Sequence, residues 1–280
     1  MSLSIRTNIA SLNAQRNLTN TQRALDSSIA RLSSGFRITK AGDDAAGLGI
    51  STKLESQIRS FNQAQRNAND GLSVVQTAEA GLNTASGILT RLRELAMQAA
   101  SDGIGNSERA YIDTEATQLT DELTRNANTA VYNGTNILNT ASGTGSNLDF
   151  QVGINNVAAN DRISVSTVDV TASTLGLTAT GFDFNTKASA QAALTTIDTA
   201  LETVSSKRAT LGSAGNRFQM AIQNIQNFSE QLSAANSRIK DVDVAEETSA
   251  LTRAQILSQA GISVLSQANQ MPQLALKLLG

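Results

Sequence analysis

The sequence predicts a mainly α fold, in which long antiparallel or otherwise paired helices form coiled-coil bundles beside a small β-hairpin region at about 140–185. Apolar residues recur every seven positions along most of the 280-residue chain, which is the repeat of helices packed along a shared seam. The chain contains one proline, so long helices meet few interruptions. Only between about 148 and 165 do apolar and polar residues alternate as they do in strands.

The longest predicted helix runs over 194–239. Its apolar residues are seven apart throughout: Ile197, Val204, Leu211, Phe218, Ile225, Leu232 and Ile239. At ~1.5 Å per residue this helix is roughly 70 Å long, so it needs partners of similar length. The spacing predicts such a partner over 45–100, with Leu54, Phe61, Ala68, Val75, Leu82, Leu89 and Ala96 in its row. A third helix is predicted from Ser107 to about Asn128.

The two ends of the chain each predict an amphipathic helix, over 3–34 and 249–279. The predicted seam of the first contains Ile5, Ile9, Leu12, Leu18, Leu25, Ile29 and Leu32, and that of the last contains Leu257, Val264, Met271 and Leu278. Small residues stand three positions before each member of the last row: Ala254, Gly261, Ala268 and Ala275. We expect the two rows to form one seam in which small and large residues alternate.

Irregular stretches separate the end helices from the inner ones. Four glycines crowd 33–50, where Asp43 or Asp44 is placed to cap the next helix, and four acids crowd 241–247. The chain therefore divides into a discontinuous terminal coiled-coil domain, 1–40 plus 241–280, and a helical core domain, 41–240, with β-hairpins at 140–187. The pairing of the termini, parallel or antiparallel, stays open.

Strands are predicted where Leu148, Phe150, Val152 and Ile154 alternate with polar residues, and again at Ile163 and Val165. Asn155-Asn156 lies where a hairpin between them would turn.

Composition argues against most enzyme classes. Cysteine and histidine are both absent, which removes thiol nucleophiles, disulfides, an imidazole base and the usual zinc sites. We therefore predict a protein that is not an enzyme, with no catalytic residue, no metal and no cofactor. A net charge of -2 argues against nucleic acid as a partner. No run of ~18 apolar residues is present, which predicts that the chain does not insert into a membrane. No secretory signal is present either, so any export is expected to proceed without a cleaved signal.

Apolar residues of the end helices exceed what one pair can bury, so other copies of the chain are the expected cover. A head-to-tail contact that does not close produces a helical filament. The alternative is a monomeric bundle whose ends pack on its middle.

Two stretches of the chain carry a resemblance to a known family. The first is Leu32-Ser33-Ser34-Gly35-Phe36-Arg37-Ile38 with Ala41-Gly42-Asp43-Asp44-Ala45-Ala46-Gly47-Leu48, and the second contains Gln259-Ala260-Gly261, Val264-Leu265, Gln267-Ala268-Asn269-Gln270 and Pro272-Gln273. Both stretches resemble the bacterial flagellins, in a short form lacking large outer domains.

The resemblance implies an extracellular structural subunit of the flagellar filament, exported unfolded through the flagellar type III channel. The implied partners are copies of the same chain, the flagellar cap, junction proteins and an export chaperone. In the family the paired terminal helices line the channel as an inner tube.

The resemblance also implies recognition by the flagellin-sensing Toll-like receptor of vertebrates. Five residues match the helix positions that it engages in many flagellins: Leu89, Arg91, Leu95, Gln98 and Glu115. Thr90 departs from the Gln often found there. Leu89 belongs to the predicted seam and Leu95 lies near it, so we expect contact between subunits to be the primary role of these residues.

Two alternatives remain in the sequence. Hook–filament junction proteins have similar helical ends, although the glycine-rich stretch and the C-terminal match favour flagellin. A hydrolase carried on flagellin-type ends needs a metal or acid–base cluster in 140–187, where four aspartates come without histidine or glutamate.

Overall fold

A computed structural model of the chain describes residues 7–140, 147–178 and 182–279, and side chains as far as residue 270. The helices are α1 (Ile9–Ser34), α2 (Ala45–Ala99), α3 (Asn106–Thr129), α4 (Ala158–Asp161), α5 (Lys187–Lys240) and α6 (Val244–Leu279). The strands are β1 (Val131–Tyr132), β2 (Thr135–Asn136), β3 (Leu148–Gln151) and β4 (Arg162–Val165). Long helices with small antiparallel hairpins confirm the predicted fold class.

The chain forms two compact units, Met1–Ile58 with Glu230–Gly280 and Arg59–Ser229. The first contains α1, α6 and the ends of α2 and α5, and the second contains the remaining elements. The predicted division at 40/41 and 240/241 stays a prediction.

The core of the unit 59–229 lies along the predicted heptad rows. In α2, Ala68, Val75, Leu82, Leu89 and Ala96 are all buried, and in α5 so are Ile197, Val204, Leu211, Phe218 and Ile225. Ion pairs join Arg93 to Asp198 and Glu79 to Arg208, so α2 and α5 run antiparallel. The seven-residue repeat of apolar residues therefore identified the buried faces of both helices.

Helix α3 returns along α2 and is fixed by a buried arginine. Arg109 is 7% exposed, and its guanidinium donates to the carbonyl oxygens of Ala99 (2.8 Å) and Ser101 (2.8 Å). Carbonyl groups at the end of a helix lack partners within the helix. Arg109 supplies partners at the end of α2 and just beyond, a role that the sequence did not reveal.

The last two helices, α5 and α6, both begin earlier in the chain than predicted. α5 begins at Lys187 because the Thr186 hydroxyl accepts a hydrogen bond from the Ser189 N–H (3.1 Å). α6 begins at Val244 because Asp243 Oδ1 accepts from the N–H groups of Ala245 (2.9 Å) and Glu246 (3.2 Å). Thr186 and Asp243 are therefore N-caps. Acidic residues in the first turn of α6 add stability, because their negative charge interacts favourably with the helix dipole. The acids at 246 and 247 therefore belong to α6, not to the break before it.

The first hairpin was not predicted. β1 and β2 pair antiparallel across Asn133 (φ 48°) and Gly134 (φ 79°). Two successive positive φ angles define the tight turn that Asn-Gly favours. The dipeptide was the available signal, but its strands of two residues are too short to show alternation.

The second hairpin confirms the predicted strands and corrects their turn. Leu148 faces Val165 and Phe150 faces Ile163, but β3 ends at Gln151, so Val152 and Ile154 lie beyond it. Residues 152–161 form the connection, which includes α4. The Asp161 carbonyl accepts hydrogen bonds from the N–H groups of Val152 and Gly153, and its carboxylate accepts from Val157. These bonds close a wide loop, so the hairpin turns in the region predicted, around Asn155-Asn156, but through a long connection and not through a two-residue turn.

Phe150 of this hairpin packs edge-on against Phe218, with ring centroids 5.6 Å apart. Gly71 lies under the Phe218 ring: a Cβ added there would be 2.4 Å from Phe218 Cζ. Helix α5 and strand β3 therefore both pack against α2 at Gly71, where there is no room for a side chain.

We expect Gly71→Ala to destabilise the unit 59–229 by about 1–3 kcal/mol, because overpacking displaces the buried Phe218 ring. Chemical denaturation monitored by circular dichroism measures this change. Gly87→Ala is the matched control on the same helix. An added Cβ at Gly87 meets nothing within 4 Å, so this change should raise stability by about 0.5–1 kcal/mol through helix propensity. Equal effects of the two substitutions would contradict this account of the packing.

Candidate functional site

The paired terminal helices carry most of the residues that the sequence predicted to act in assembly. Asn8 Nδ2 donates to the Ala268 carbonyl (2.8 Å), and Arg31 lies 3.6 Å from Glu247. The N-terminal end of α1 thus lies beside the C-terminal part of α6, and the C-terminal end of α1 lies beside the N-terminal end of α6. The pair is antiparallel, which resolves the alternative that the sequence left open.

The contact between α1 and α6 covers two heptad rows on each helix. On α1 one row is Ser11, Leu18, Leu25 and Leu32, and the other is Ala14, Thr21 and Ser28. On α6 one row is Glu247, Ala254, Gly261 and Ala268, and the other is Leu251, Ser258 and Leu265. A Cβ added to Gly261 would lie 3.3 Å from Leu18 Cδ1. Small residues on α6 therefore let the leucines of α1 approach its backbone.

The large row predicted for α6 lies outside this contact. Leu257 is 53% exposed and Val264 is 58% exposed. The prediction that small and large rows alternate in one seam was therefore wrong for the chain's own pair. The row of small residues on α6 allows a closer approach of the two backbones. This row therefore packs against α1, and the row of large residues stays uncovered.

The predicted α1 row is divided in the same way. Leu18, Leu25 and Leu32 line the contact, whereas Ile9, Leu12 and Ile29 are exposed. Ile5 lies outside the described residues, as do the side chains of Met271 and Leu278. A role of these residues in assembly stays a prediction.

The two breaks in the first unit are joined by main-chain hydrogen bonds. The Arg37 N–H donates to the Lys240 carbonyl (2.7 Å), and the Val242 N–H donates to the Gly35 carbonyl (3.0 Å). Phe36 and Asp241 thereby form an antiparallel bridge. We call residues 35–37 with 239–242 the clasp. Sequence reasoning missed it, because a single bridge leaves no periodic pattern.

Side chains strengthen the clasp. The Lys240 ammonium lies 4.5 Å from the centre of the Phe36 ring and 3.6 Å from Glu55. The Arg37 guanidinium donates to the Ile239 carbonyl (2.8 Å). Gly35 has a φ of 73° and ends α1 by donating its N–H to Arg31. The left-handed conformation required here is one that glycine adopts without strain.

The loop after the clasp is organised by two aspartates. Asp44 Oδ1 accepts from the Gly47 N–H (2.8 Å) and caps α2, which resolves the predicted choice in favour of Asp44. Asp43 Oδ2 accepts from the N–H groups of Thr39 (3.0 Å) and Lys40 (3.0 Å). These bonds, with that from the Thr39 hydroxyl, hold the pKa of the Asp43 carboxyl below its ordinary value.

The residues predicted for receptor recognition do not form one surface. Leu89 and Leu95 are buried in the core of the unit 59–229. Arg91 and Gln98 are exposed, and the Arg91 guanidinium lies 2.8 Å from Glu115 and 3.0 Å from Glu94. These ion pairs raise the pKa of Arg91 above its ordinary value. Any surface contact here would use Arg91, Gln98 and Glu115, without the two leucines.

Neither a metal cluster nor a membrane span is found in the described parts of the chain. Within 7–140, 147–178 and 182–279, no three His, Cys, Asp or Glu residues are grouped so that they could hold a metal ion. No helix over those ranges has the length and apolar character to cross a bilayer.

Comparison with known families decides what the paired ends belong to. A model of the bacterial flagellin N-terminal helical region matches residues 5–143, and one of the C-terminal helical region matches 194–279. The chain belongs to the bacterial flagellin family.

Similar flagellins align over nearly their whole length. A flagellin of Halalkalibacterium halodurans is 40% identical over 97% of this chain and 98% of its own. The flagellin of Bacillus subtilis has the same identity and coverage. A flagellar filament 30.7 kDa core protein of Treponema maltophilum is 41% identical, again over 97% and 98%. With 280 residues, the chain is shorter than the 380-residue alignment that it makes with flagellin D of Vibrio cholerae, at 35% identity, and is in this sense a short member of the family.

Solved structures agree with this assignment. The crystal structure of Bacillus cereus flagellin covers 57% of this chain and 88% of its own, with 32% identity and a TM-score of 0.51. A Vibrio parahaemolyticus structure described as a flagellar hook-associated protein has a TM-score of 0.57 over 71% of this chain, but only 17% identity. That likeness shows the fold alone. The flagellins, matched at higher identity, make the junction-protein alternative the less favoured one.

The lowered pKa of Asp43 makes the loop before α2 sensitive to acid. A carboxyl whose pKa is lower in the folded chain stabilises the fold above its unfolded pKa, and the contribution disappears as the pH falls through the folded value. We expect the amide NMR signals of Thr39 and Lys40 to titrate together, with a midpoint below the ordinary aspartate pKa. In Asp43→Asn the two amides should not titrate. A midpoint at or above the ordinary value would contradict the hydrogen bonding described here.

Proposed function

We propose that this flagellin is a structural subunit that polymerises head-to-tail into a helical bacterial flagellar filament, used in swimming motility. The observation that carries the proposal is the uncovered apolar surface of the terminal pair. On α6 this surface contains Ile256, Leu257, Ile262 and Val264, and on α1 it contains Ile9, Leu12 and Ile29, all about half exposed or more.

Covering these side chains supplies the free energy for assembly. Full burial of one Leu, Ile or Val side chain contributes about 1.5–3 kcal/mol. The α1·α6 contact partly covers Leu18, Leu25 and Leu32 but leaves Leu257, Val264 and the exposed isoleucines uncovered, so these exposed side chains are available to another chain. A contact between two different surfaces, repeated without closing, extends into a helical filament.

Within the filament, we assign residues 1–40 and 241–280 to the inner tube and 41–240 to the surrounding helical core. We infer that the chain reaches the extracellular flagellum through the flagellar type III channel, with an export chaperone, cap and junction proteins as further partners. Its work in this role is structural, without enzymatic chemistry. Family membership and the near full-length likeness to named flagellins support these assignments.

We also propose that the free subunit is recognised by the vertebrate flagellin-sensing Toll-like receptor. Arg91 and Glu115 support this proposal, because they form a hydrogen-bonded pair on adjacent helices, with side chains that are 50% and 46% exposed. Since Leu89 and Leu95 are buried, the recognised surface contains their polar neighbours and not these two side chains.

We expect Leu257→Ser with Val264→Ser to raise the critical concentration for seeded polymerisation at least about tenfold per side chain, because 1.4 kcal/mol corresponds to a factor of ten. Light scattering and electron microscopy of seeded protein measure this. Val157→Ser is the control, because Val157 is similarly exposed (49%) but lies in the β3–β4 loop. Filaments that form equally well from the double variant would overturn the proposed surface. Failure of the unchanged chain to extend seeds would overturn the filament function itself.

For receptor recognition, we expect Arg91→Ala to reduce the response of a receptor-reporter cell line to monomer at least about tenfold, since a hydrogen-bonded charge is lost. Arg125→Ala is the matched control, because Arg125 is also exposed and pairs with a glutamate on its own helix, Glu122. An unchanged response to Arg91→Ala, or no response to the unchanged monomer, would count against the proposal.

A further inference from the structure

The clasp and the α1·α6 pair follow one continuous register. Phe36 bridges Asp241 in the clasp, and Arg31 then pairs with Glu247. Further along, Leu18 lies against Gly261 and Asn8 donates to Ala268. As α1 is followed toward its N-terminus, the contacting residues of α6 advance toward its C-terminus without a break. The two helices are therefore aligned from a common base.

The rows of leucines and small residues in the helical contact contain little information about register. On α1 the leucines are seven residues apart, at 18, 25 and 32, and on α6 the small residues are seven apart, at 254, 261 and 268. A slip by one heptad places a leucine opposite a small residue again. Repetitive seams of this kind need a non-repeating feature to fix one alignment.

The clasp is such a feature. Its main-chain bonds join Gly35 and Arg37 to Val242 and Lys240, and Lys240 also contacts the Phe36 ring. Neither the glycine with positive φ nor the aromatic–lysine contact is repeated seven residues away. A slipped pair could not keep these contacts, because the clasp lies at the ends of both helices.

We propose that the clasp sets the heptad register of the terminal pair. Holding the two chain segments together at the base leaves short connections to the first helical contacts, and short connections favour pairing of the nearest turns. The in-register alignment then extends outward from Arg31 and Glu247. This proposal concerns pairing within one chain, so it does not depend on the filament function.

The chain has no cysteine, so engineered disulfides can report the register. Leu18→Cys with Gly261→Cys reports the native alignment: a Cβ at Gly261 lies 4.0 Å from Leu18 Cβ, within the ~3.5–4.5 Å typical of disulfides. Leu25→Cys with Gly261→Cys reports a slip by one heptad, and Ser11→Cys with Gly261→Cys reports the opposite slip. The yield of intramolecular disulfide under mild oxidation is measured for dilute monomer.

With the clasp intact, the native pair should cross-link in preference to either slipped pair. Phe36→Ala with Lys240→Ala removes the cation–π contact, and we expect the ratio of native to slipped cross-links to fall about fivefold. Lys53→Ala is the matched control, because Lys53 is an exposed lysine on α2 outside the clasp. It should leave the ratio unchanged.

The proposal is overturned if the slipped pairs cross-link as well as the native pair in the intact chain, or if the clasp variant leaves the ratio unchanged. Should the double variant lose helical content by circular dichroism, Arg37→Gln provides the decisive measurement. It removes only the bond from the guanidinium to Ile239 and keeps the main-chain bonds. A chain with the native register that does not extend seeds would contradict the filament function while leaving this inference intact.

Discussion

The structure depends on the pairing of helices too long to be buried in an ordinary globular core. α2 has 55 residues and α5 has 54, and a helix of that length in water gains its stability from a packed stripe along one side. Within the unit 59–229 the stripe of each helix is covered by the other, by α3 and by the hairpins. Gly71 and Phe218 illustrate the fit, because one has no side chain where the other places a ring.

The two units differ in how much apolar surface they bury. The unit 59–229 contains a continuous core of leucine, valine, isoleucine, alanine and phenylalanine side chains. Among the described residues of the other unit, the buried hydrophobics are Ile38, Ala254 and Ala268. Regions with few buried apolar contacts open at lower free energy than a packed core. A terminal pair of this composition is suited to gaining its stability from contacts outside its own chain.

Heptad spacing identified the long helices and their buried rows, but it could not assign every row to a partner. In α6, Ala254 and Leu257 begin two rows with the same period. Which row faces α1 depends on how closely the backbones approach, and this is a tertiary property. The same limit applies to Leu95, which lies outside the predicted row of α2 and is nevertheless buried. Single contacts such as those of Arg109, Asp243 and the Phe36–Asp241 bridge have no period at all, so pattern analysis could not find them.

The wide loop between β3 and β4 bears on how chains of this architecture vary in length. Gln151 and Arg162 are paired neighbours at its base, so whatever lies between them leaves and re-enters at adjacent points. Lengthening a loop whose ends are already fixed costs little, since the entropic penalty grows only with the logarithm of its size. Extra segments, even whole folded modules, can be accommodated at this position without altering the helices beneath.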